Sequence, residues 1–309
     1  MRKKLEELVK NSMVIKYKLP TNFVNGTGIT EKLEMSNLSS ADKGEFCLES
    51  QDSDISKIIY NGIIEFAENE FNIDYQNLDI EQAKVILTKL RYRKLDSPQT
   101  KLQYGFYGEV LLDLLLRVYF GTNVVLARGY FYSPLEKSEA KGFDAFHFFD
   151  NNGNLELWFG EAKFHRSFTS GITSVIQKMN SSITDEYMND HMFAIINERN
   201  NMSYSHPILD SILDKWNNNP EIILADELIS NNVELIYPIF IAFQKQRTYS
   251  YEKTINTCIT KINETLAQFP FFPNIQINTS VLVILLPVEN SNKLKEDVIK
   301  WIETKEPLI

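Results

Sequence analysis

Asp144, Glu161 and Lys163 have the residue types and spacing to hold a hard cation and to act on a phosphate. Asp144 lies in Gly142-Phe143-Asp144-Ala145-Phe146-His147-Phe148-Phe149, a β-like run. Glu161 and Lys163 lie in a second one, Leu155-Glu156-Leu157-Trp158-Phe159-Gly160-Glu161-Ala162-Lys163-Phe164. Between the runs sits Asp150-Asn151-Asn152-Gly153-Asn154, and Asn-Gly is the strongest short hairpin signal. With Asn152-Gly153 as a two-residue turn, Asn151 pairs with Asn154. Counting back along both strands then sets Asp144 opposite Glu161. Lys163 shares the face of Glu161, because strand side chains alternate with period two, and it lies opposite Gly142, which has no side chain to crowd it. Directly opposed Cβ atoms are about 4.5–5.5 Å apart. Two carboxylates so placed repel by roughly 3 kcal/mol at an effective dielectric near 20. A divalent cation between them turns that cost into a ligand set. The competing reading is a surface hairpin with an exposed Asp and a cross-strand Lys–Glu pair. Phe146, Phe148, Trp158 and Phe159 count against it by surrounding the charges with apolar side chains.

An Asp on one strand followed by Glu-x-Lys on the next resembles the PD-(D/E)xK nuclease superfamily. The tripeptide also occurs at 139–141 and 303–305, but neither copy is preceded by a hairpin that presents an Asp. The resemblance implies a third acidic ligand after a Gly on the helix before the sheet, and Glu109 in Tyr107-Gly108-Glu109-Val110 matches that position. Read as helix pattern alone, Glu109, Asp113 and Arg117 recur at four-residue spacing and could be an ordinary polar stripe. His165 and Arg166 follow the motif closely enough to touch a phosphate. Gln177 and, with less weight, Lys178 lie on the following helix, where related nucleases often carry a Gln or a basic residue. His147 alternates to the face away from Asp144, which fits a structural role.

The elements that must position these residues can be read from periodicity. Residues 1–54 are expected to be irregular, with a possible strand pair. Helices are expected at 55–71, 79–94 and 102–120, the last apolar nearly all round and therefore buried. A strand at 123–132 precedes the hairpin at 142–164, and a helix N-capped by Ser170 follows at 170–187. A loop-rich stretch spans 189–219. The end alternates helix 221–230, strand 233–243, helix 250–268, strand 276–288 and helix 292–305. The Leu95-Asp96-Ser97-Pro98 segment divides a mostly helical, partner-binding region (1–97) from a nuclease core (98–309). The fold class is α/β (α+β), a restriction-endonuclease-like α/β/α core of the PD-(D/E)xK kind.

The chain of 309 residues is 43% hydrophobic and 24% charged, ordinary for a globular protein. Its longest apolar run, 281–288, suits a buried strand and is far short of a membrane span. Cys47 and Cys258 are its only cysteines, so neither a disulfide framework nor a Cys-based zinc site is expected, which fits the cytoplasm. Net charge is −9, unusual for a protein that grips nucleic acid alone, since basic residues on phosphates supply most non-specific affinity. A local basic patch or a partner must therefore deliver the substrate. The segment Lys89-Leu90-Arg91-Tyr92-Arg93-Lys94 is the best local patch, and equally the basic end of a helix.

The order Gly108-Glu109, Gly142-Phe143-Asp144, Gly160-Glu161-Ala162-Lys163-Phe164 over a chain of this length resembles the nuclease subunit family of the Hachiman anti-phage defence system, HamA. The resemblance implies a DNA-cutting effector held by a superfamily 2 DNA helicase partner (HamB-like) and quiet until that helicase engages DNA. It further implies that Asp144, Glu161 and Glu109 bind Mg²⁺ or Mn²⁺, with the Ala162 carbonyl as an additional ligand, and that Lys163 positions water or stabilises developing charge. Two other classes compete. A stand-alone restriction-type or RNA-directed nuclease would need a basic nucleic-acid-embracing surface, which the acidic charge disfavours. A non-enzymatic adaptor on a nuclease fold is disfavoured by the intact acidic and Lys positions.

Overall fold

A computed structural model describes residues 1–19, 45–90, 92–133, 138–139, 142–182, 184–202, 206–219, 221–246, 250–268 and 277–309. The chain opens with α1 (Lys3–Ser12), β1 (Val14–Leu19) and β2 (Glu45–Glu49), then α2 (Asp52–Ala67) and α3 (Leu78–Thr88). A short α4 (Pro98–Leu102) leads into α5 (Phe106–Tyr119) and the two-residue strand β3 (Asn123–Val124). Two more short strands follow, β4 (Tyr132–Ser133) and β5 (Ser138–Glu139). The hairpin is β6 (Ala145–Asn151) and β7 (Asn154–His165). Next come α6 (Phe168–Ser182), α7 (Asp185–Asn197), α8 (Pro207–Asn218) and α9 (Leu224–Ser230). The chain ends with β8 (Glu234–Gln244), α10 (Tyr251–Gln268), β9 (Thr279–Val288) and α11 (Ser291–Thr304).

One seven-stranded sheet runs in the order β1-β2-β9-β8-β7-β6-β3. Strands β7, β8 and β9 are parallel neighbours, and β6 is antiparallel to β7. The side chains of β8 show why this makes three layers. Ile236, Phe240 and Ala242 enter a core cluster shared with α1, α2, α5 and α11. Leu235, Tyr237, Ile239, Ile241 and Phe243 enter a second cluster shared with α6, α8, α9 and α10. Strands buried on both faces read as continuous apolar runs, as 281–288 does. Mixed α/β architecture of this kind is the fold class the periodicity implies.

Several expectations are corrected. The strand expected at 123–132 shrinks to Asn123–Val124, followed by a 3-10 turn at Arg128–Phe131. The helix expected at 170–187 starts earlier and divides into α6 and α7, so Ser170 lies inside a helix instead of capping it. Its N–H instead meets the Ser167 hydroxyl at 3.4 Å. The stretch 189–219 is largely helical, in the rest of α7 and in α8. In α8 Leu209, Ile212 and Leu213 are buried at helical spacing, a pattern that the many intervening Asn, Asp and Ser residues obscure. Residues on both sides of position 97 share one hydrophobic cluster, and β1 and β2 belong to the main sheet. Among the described residues no helix is long and apolar enough to cross a membrane.

Candidate active site

The hairpin forms in the expected register, from Asn151↔Asn154 to Ala145↔Gly160. Asn152 and Gly153 take φ of 55° and 90°, the positive values a type I′ turn requires. The ladder stops one residue short of Asp144, and there a side chain continues the bonding. The Asp144 N–H donates to the Gly160 carbonyl at 2.7 Å, while its carboxylate accepts the Ala162 N–H at 2.9 Å. The N–H and C=O of one strand residue point to the same side, so the Ala162 carbonyl also faces the Asp144 side of β7.

A close backbone approach shapes the strand just before Glu161. A Cβ on Gly160 would lie 2.4 Å from both the carbonyl oxygen and Cγ of Pro238 on β8. Glycine in a strand marks such an approach. The β7–β8 pairing skips two residues at this point, between Trp158↔Ile236 and Glu161↔Ile239, and resumes in the same register. Proline has no N–H to give a ladder, and the missing side chain at Gly160 is what lets its ring sit in a central strand.

Glu161 is fully buried. Both of its carboxylate oxygens are held, one by the Lys163 ammonium and the other by Lys178 from α6. Lys178 also donates to the Gly142 carbonyl at 3.1 Å. Burial and the neighbouring Asp144 push the Glu161 carboxyl above its ordinary value, against the pull of the two lysines. Burial draws Lys178 down, but Asp144 and Glu161 outweigh it and hold the ammonium above its ordinary value. Two carboxylates and two ammoniums thus nearly cancel. The repulsion expected between Asp144 and Glu161 is answered by lysines from within the chain.

Glu109 arrives from the other side of the sheet, in the first turn of α5. Gly108 lets that helix close on β7, since a Cβ there would meet Ala162 Cβ at 3.4 Å and Phe164 Cβ at 3.5 Å. The Glu109 carboxylate lies 3.9 Å from Arg128 Nε. The stripe reading of this helix holds for its other members: Asp113 binds Arg117 at 2.9 Å and His147 Nε2 at 2.9 Å. His147 Nδ1 meets Thr122 Oγ1 at 2.8 Å. That triplet is buried, and burial keeps His147 below its ordinary value.

These parts open on one cleft of about 610 Å³, lined by Glu109, Asp144, Glu161, Ala162, Lys163, His165 and Arg166, and also by Lys178 and Lys295. Gln177 is exposed and does not line it. The apolar side of α6 is Ile172, Val175, Ile176 and Met179. Lys178 flanks that side one turn beyond Ser174, whereas Gln177 turns to solvent. Counting Lys178 and Gln177 at 100° per residue from the apolar face separates them in the sequence itself. Lys295 is the other residue that periodicity alone did not single out.

Among the described residues no three His, Cys, Asp or Glu side chains converge tightly enough to cage a metal. The donor set still fits Mg²⁺ or Mn²⁺ in type. Such ions bind through one or two carboxylates and keep several waters for substrate phosphates, and Asp144, Glu161 and the Ala162 carbonyl are oxygen donors on one edge. Zinc prefers Cys and His, and His165 is the one residue of those types among the described lining of the cleft.

No curated protein matches the sequence. A family model described as HamA matches residues 28–302, a span that includes every cleft residue named above. The chain therefore belongs to the HamA family, a family of Hachiman anti-phage defence components.

Proposed function

We propose that this chain is a metal-dependent DNA nuclease, the effector subunit of a bacterial anti-phage defence system that acts with a superfamily 2 DNA helicase in the cytoplasm. The observation that carries this reading is the cleft in which Asp144 and Glu161 meet at the end of a hairpin ladder with Lys163 beside them. In a member of the HamA family, that arrangement has hydrolysis of a phosphodiester as its natural use.

Asp144, Glu161 and the Ala162 carbonyl would hold Mg²⁺ or Mn²⁺, with Glu109 reaching in from α5. A bound cation of this kind lowers the pKa of water and neutralises charge on the transferred phosphoryl group. The chain supplies the rest. Asp144 lines the cleft and is oriented by the Ala162 N–H. Lys163 places a cation next to Glu161 on a strand, where it can orient a water or meet charge that develops on the phosphate. Lys178 pairs with Glu161 from the opposite side and works against the upward push of burial and Asp144 on its carboxyl. Arg166, just past the end of β7, lines the same cleft and would pair with a phosphate of the bound DNA strand.

Purified protein should cut DNA with Mn²⁺ or Mg²⁺ and stop in chelator, and Glu161→Ala or Lys163→Ala should abolish cutting with the fold retained. Undiminished cutting by Lys163→Ala would overturn the reading. The acidic charge of the whole chain supports dependence on a helicase for delivery. The isolated chain should be weak on duplex DNA and should co-purify with the helicase as a stable complex. Robust helicase-independent degradation would favour the stand-alone reading.

A further inference from the structure

Lys295 is a buried cation that no carboxylate matches among the described residues. Its residue is 7% exposed, on the second turn of α11. Its ammonium donates to the carbonyls of Leu102 at 3.1 Å and Phe164 at 3.0 Å. It also lies 5.3 Å from the centre of the Tyr107 ring and 4.8 Å from that of Phe164. These partners are neutral, and two carbonyls serve three donors. Burying an ammonium without a counter-charge is costly, and burial alone pushes this one down to about 8.

The cleft explains where a counter-charge could come from. Lys163 and Lys178 are committed to Glu161, and Arg128 lies against Glu109. Lys295 and Arg166 are the cations of the cleft that pair with no carboxylate among the described residues, and both sit at the end where β7 finishes. Phe164, which holds Lys295, directly follows Lys163. His165, which follows Phe164, is pulled below its ordinary value by burial and by Lys163 and Lys295.

We infer that Lys295 and Arg166 form a phosphate subsite beside the reacting centre, which takes a backbone phosphate of the substrate strand next to the scissile one. The assignment rests on the nuclease reading above. It makes Lys295 a positioning residue: it fixes where the strand enters and leaves the chemistry to Asp144, Glu161 and Lys163. A purely structural tether of α11 to β7 and α4 would show the same two carbonyl bonds, so the test must separate charge from tethering.

Lys295→Gln keeps a donor for the carbonyls and removes the charge; Lys295→Met removes both. In the full chain with chelator, inorganic phosphate should raise the melting temperature of wild type by several degrees more than that of either variant, because binding to the native state stabilises it. A short single-stranded oligodeoxynucleotide should bind Lys295→Gln about tenfold more weakly, with the slope of log affinity against log salt smaller by about 0.7, the value for one lost phosphate contact. Equal phosphate responses and equal oligonucleotide affinities in wild type and Lys295→Gln would overturn the subsite. A phosphate response that the oligonucleotide does not compete away would overturn its assignment to the strand. If Lys295→Met fails to fold, Lys295→Gln decides alone. Cation-dependent cutting lost in Lys163→Ala judges the nuclease reading separately, so either idea can fail without the other.

Discussion

Lys178 and Glu161, 17 residues apart on α6 and β7, form an ion pair in which Glu161 is wholly buried. Lys163 takes the other oxygen. The result is a carboxylate whose charge is balanced from two elements at once. Removing one partner from a buried pair leaves an uncompensated charge, and the second lysine softens that loss. Lys178→Met should therefore destabilise the fold by about 1–2 kcal/mol and slow cutting at least tenfold, with Lys178→Arg recovering part of both. Urea unfolding and a cleavage assay check this. A variant of lowered stability that cuts at the wild-type rate would reduce Lys178 to a structural role.

Glu161 also sets a pH dependence whose sign can be worked out. Burial and Asp144 raise its folded-state value above the ordinary 4.5, so the native state binds the proton more tightly than the unfolded chain. The stability this group contributes is fully present below about 4.5 and is lost as pH rises through the raised folded value. Glu161→Gln cannot ionise and should lack that decline. Urea midpoints of both proteins in chelator, at several pH values from 4.5 to 8, measure the difference, and parallel curves would remove Glu161 as its source.

Asp144→Asn tests the ligand assignment. From the hairpin register alone, deleting this charge is expected to relieve repulsion and raise metal-free stability. The lysines change that expectation, because the cluster is already near neutral and the mutation leaves an excess positive charge. The amide oxygen can still accept the Ala162 N–H. Stability in chelator should fall slightly, by about 0–1 kcal/mol. The rise in melting temperature on adding Mn²⁺ should largely vanish. A variant that keeps the full Mn²⁺ shift shows that Asp144 is not a ligand.

Gly160→Ala should be costly without touching any charge. The new methyl would lie 2.4 Å from the Pro238 carbonyl oxygen, a contact that only backbone movement can relieve. Overpacking of this kind costs about 1–3 kcal/mol or more. Because Gly160 directly precedes Glu161, displacement of β7 should also reduce cutting. Chemical denaturation and cleavage measured side by side check both. Wild-type stability would mean that β7 and β8 separate at this point at little cost.

The hairpin was legible because its signals are local. Asn152-Gly153 demands one turn type, period-two alternation then sets the face of every residue back to Asp144 and Glu161, and a one-residue slip would expose the apolar set. The seven-stranded order was not legible, since the return of β1 and β2 to the edge of β9 joins residues more than 230 positions apart. The division of the helix after β7 was hidden too, because the apolar pattern of α6 passes into that of α7 without a Gly or Pro to mark the break.

By itself the sequence determined which residues share the hairpin's reactive face, the apolar strands that flank it and the HamA resemblance that residues 28–302 bear out. Tertiary structure alone decided that α6 packs close enough for Lys178 to pair with Glu161, that Glu109 enters the cleft with Arg128 beside it, and that Lys295 lines the same cleft. The physical reason is reach. Turn and strand geometry act over a few residues, whereas the packing of α5, α6 and α11 around one strand end depends on side chains contributed from across the whole chain.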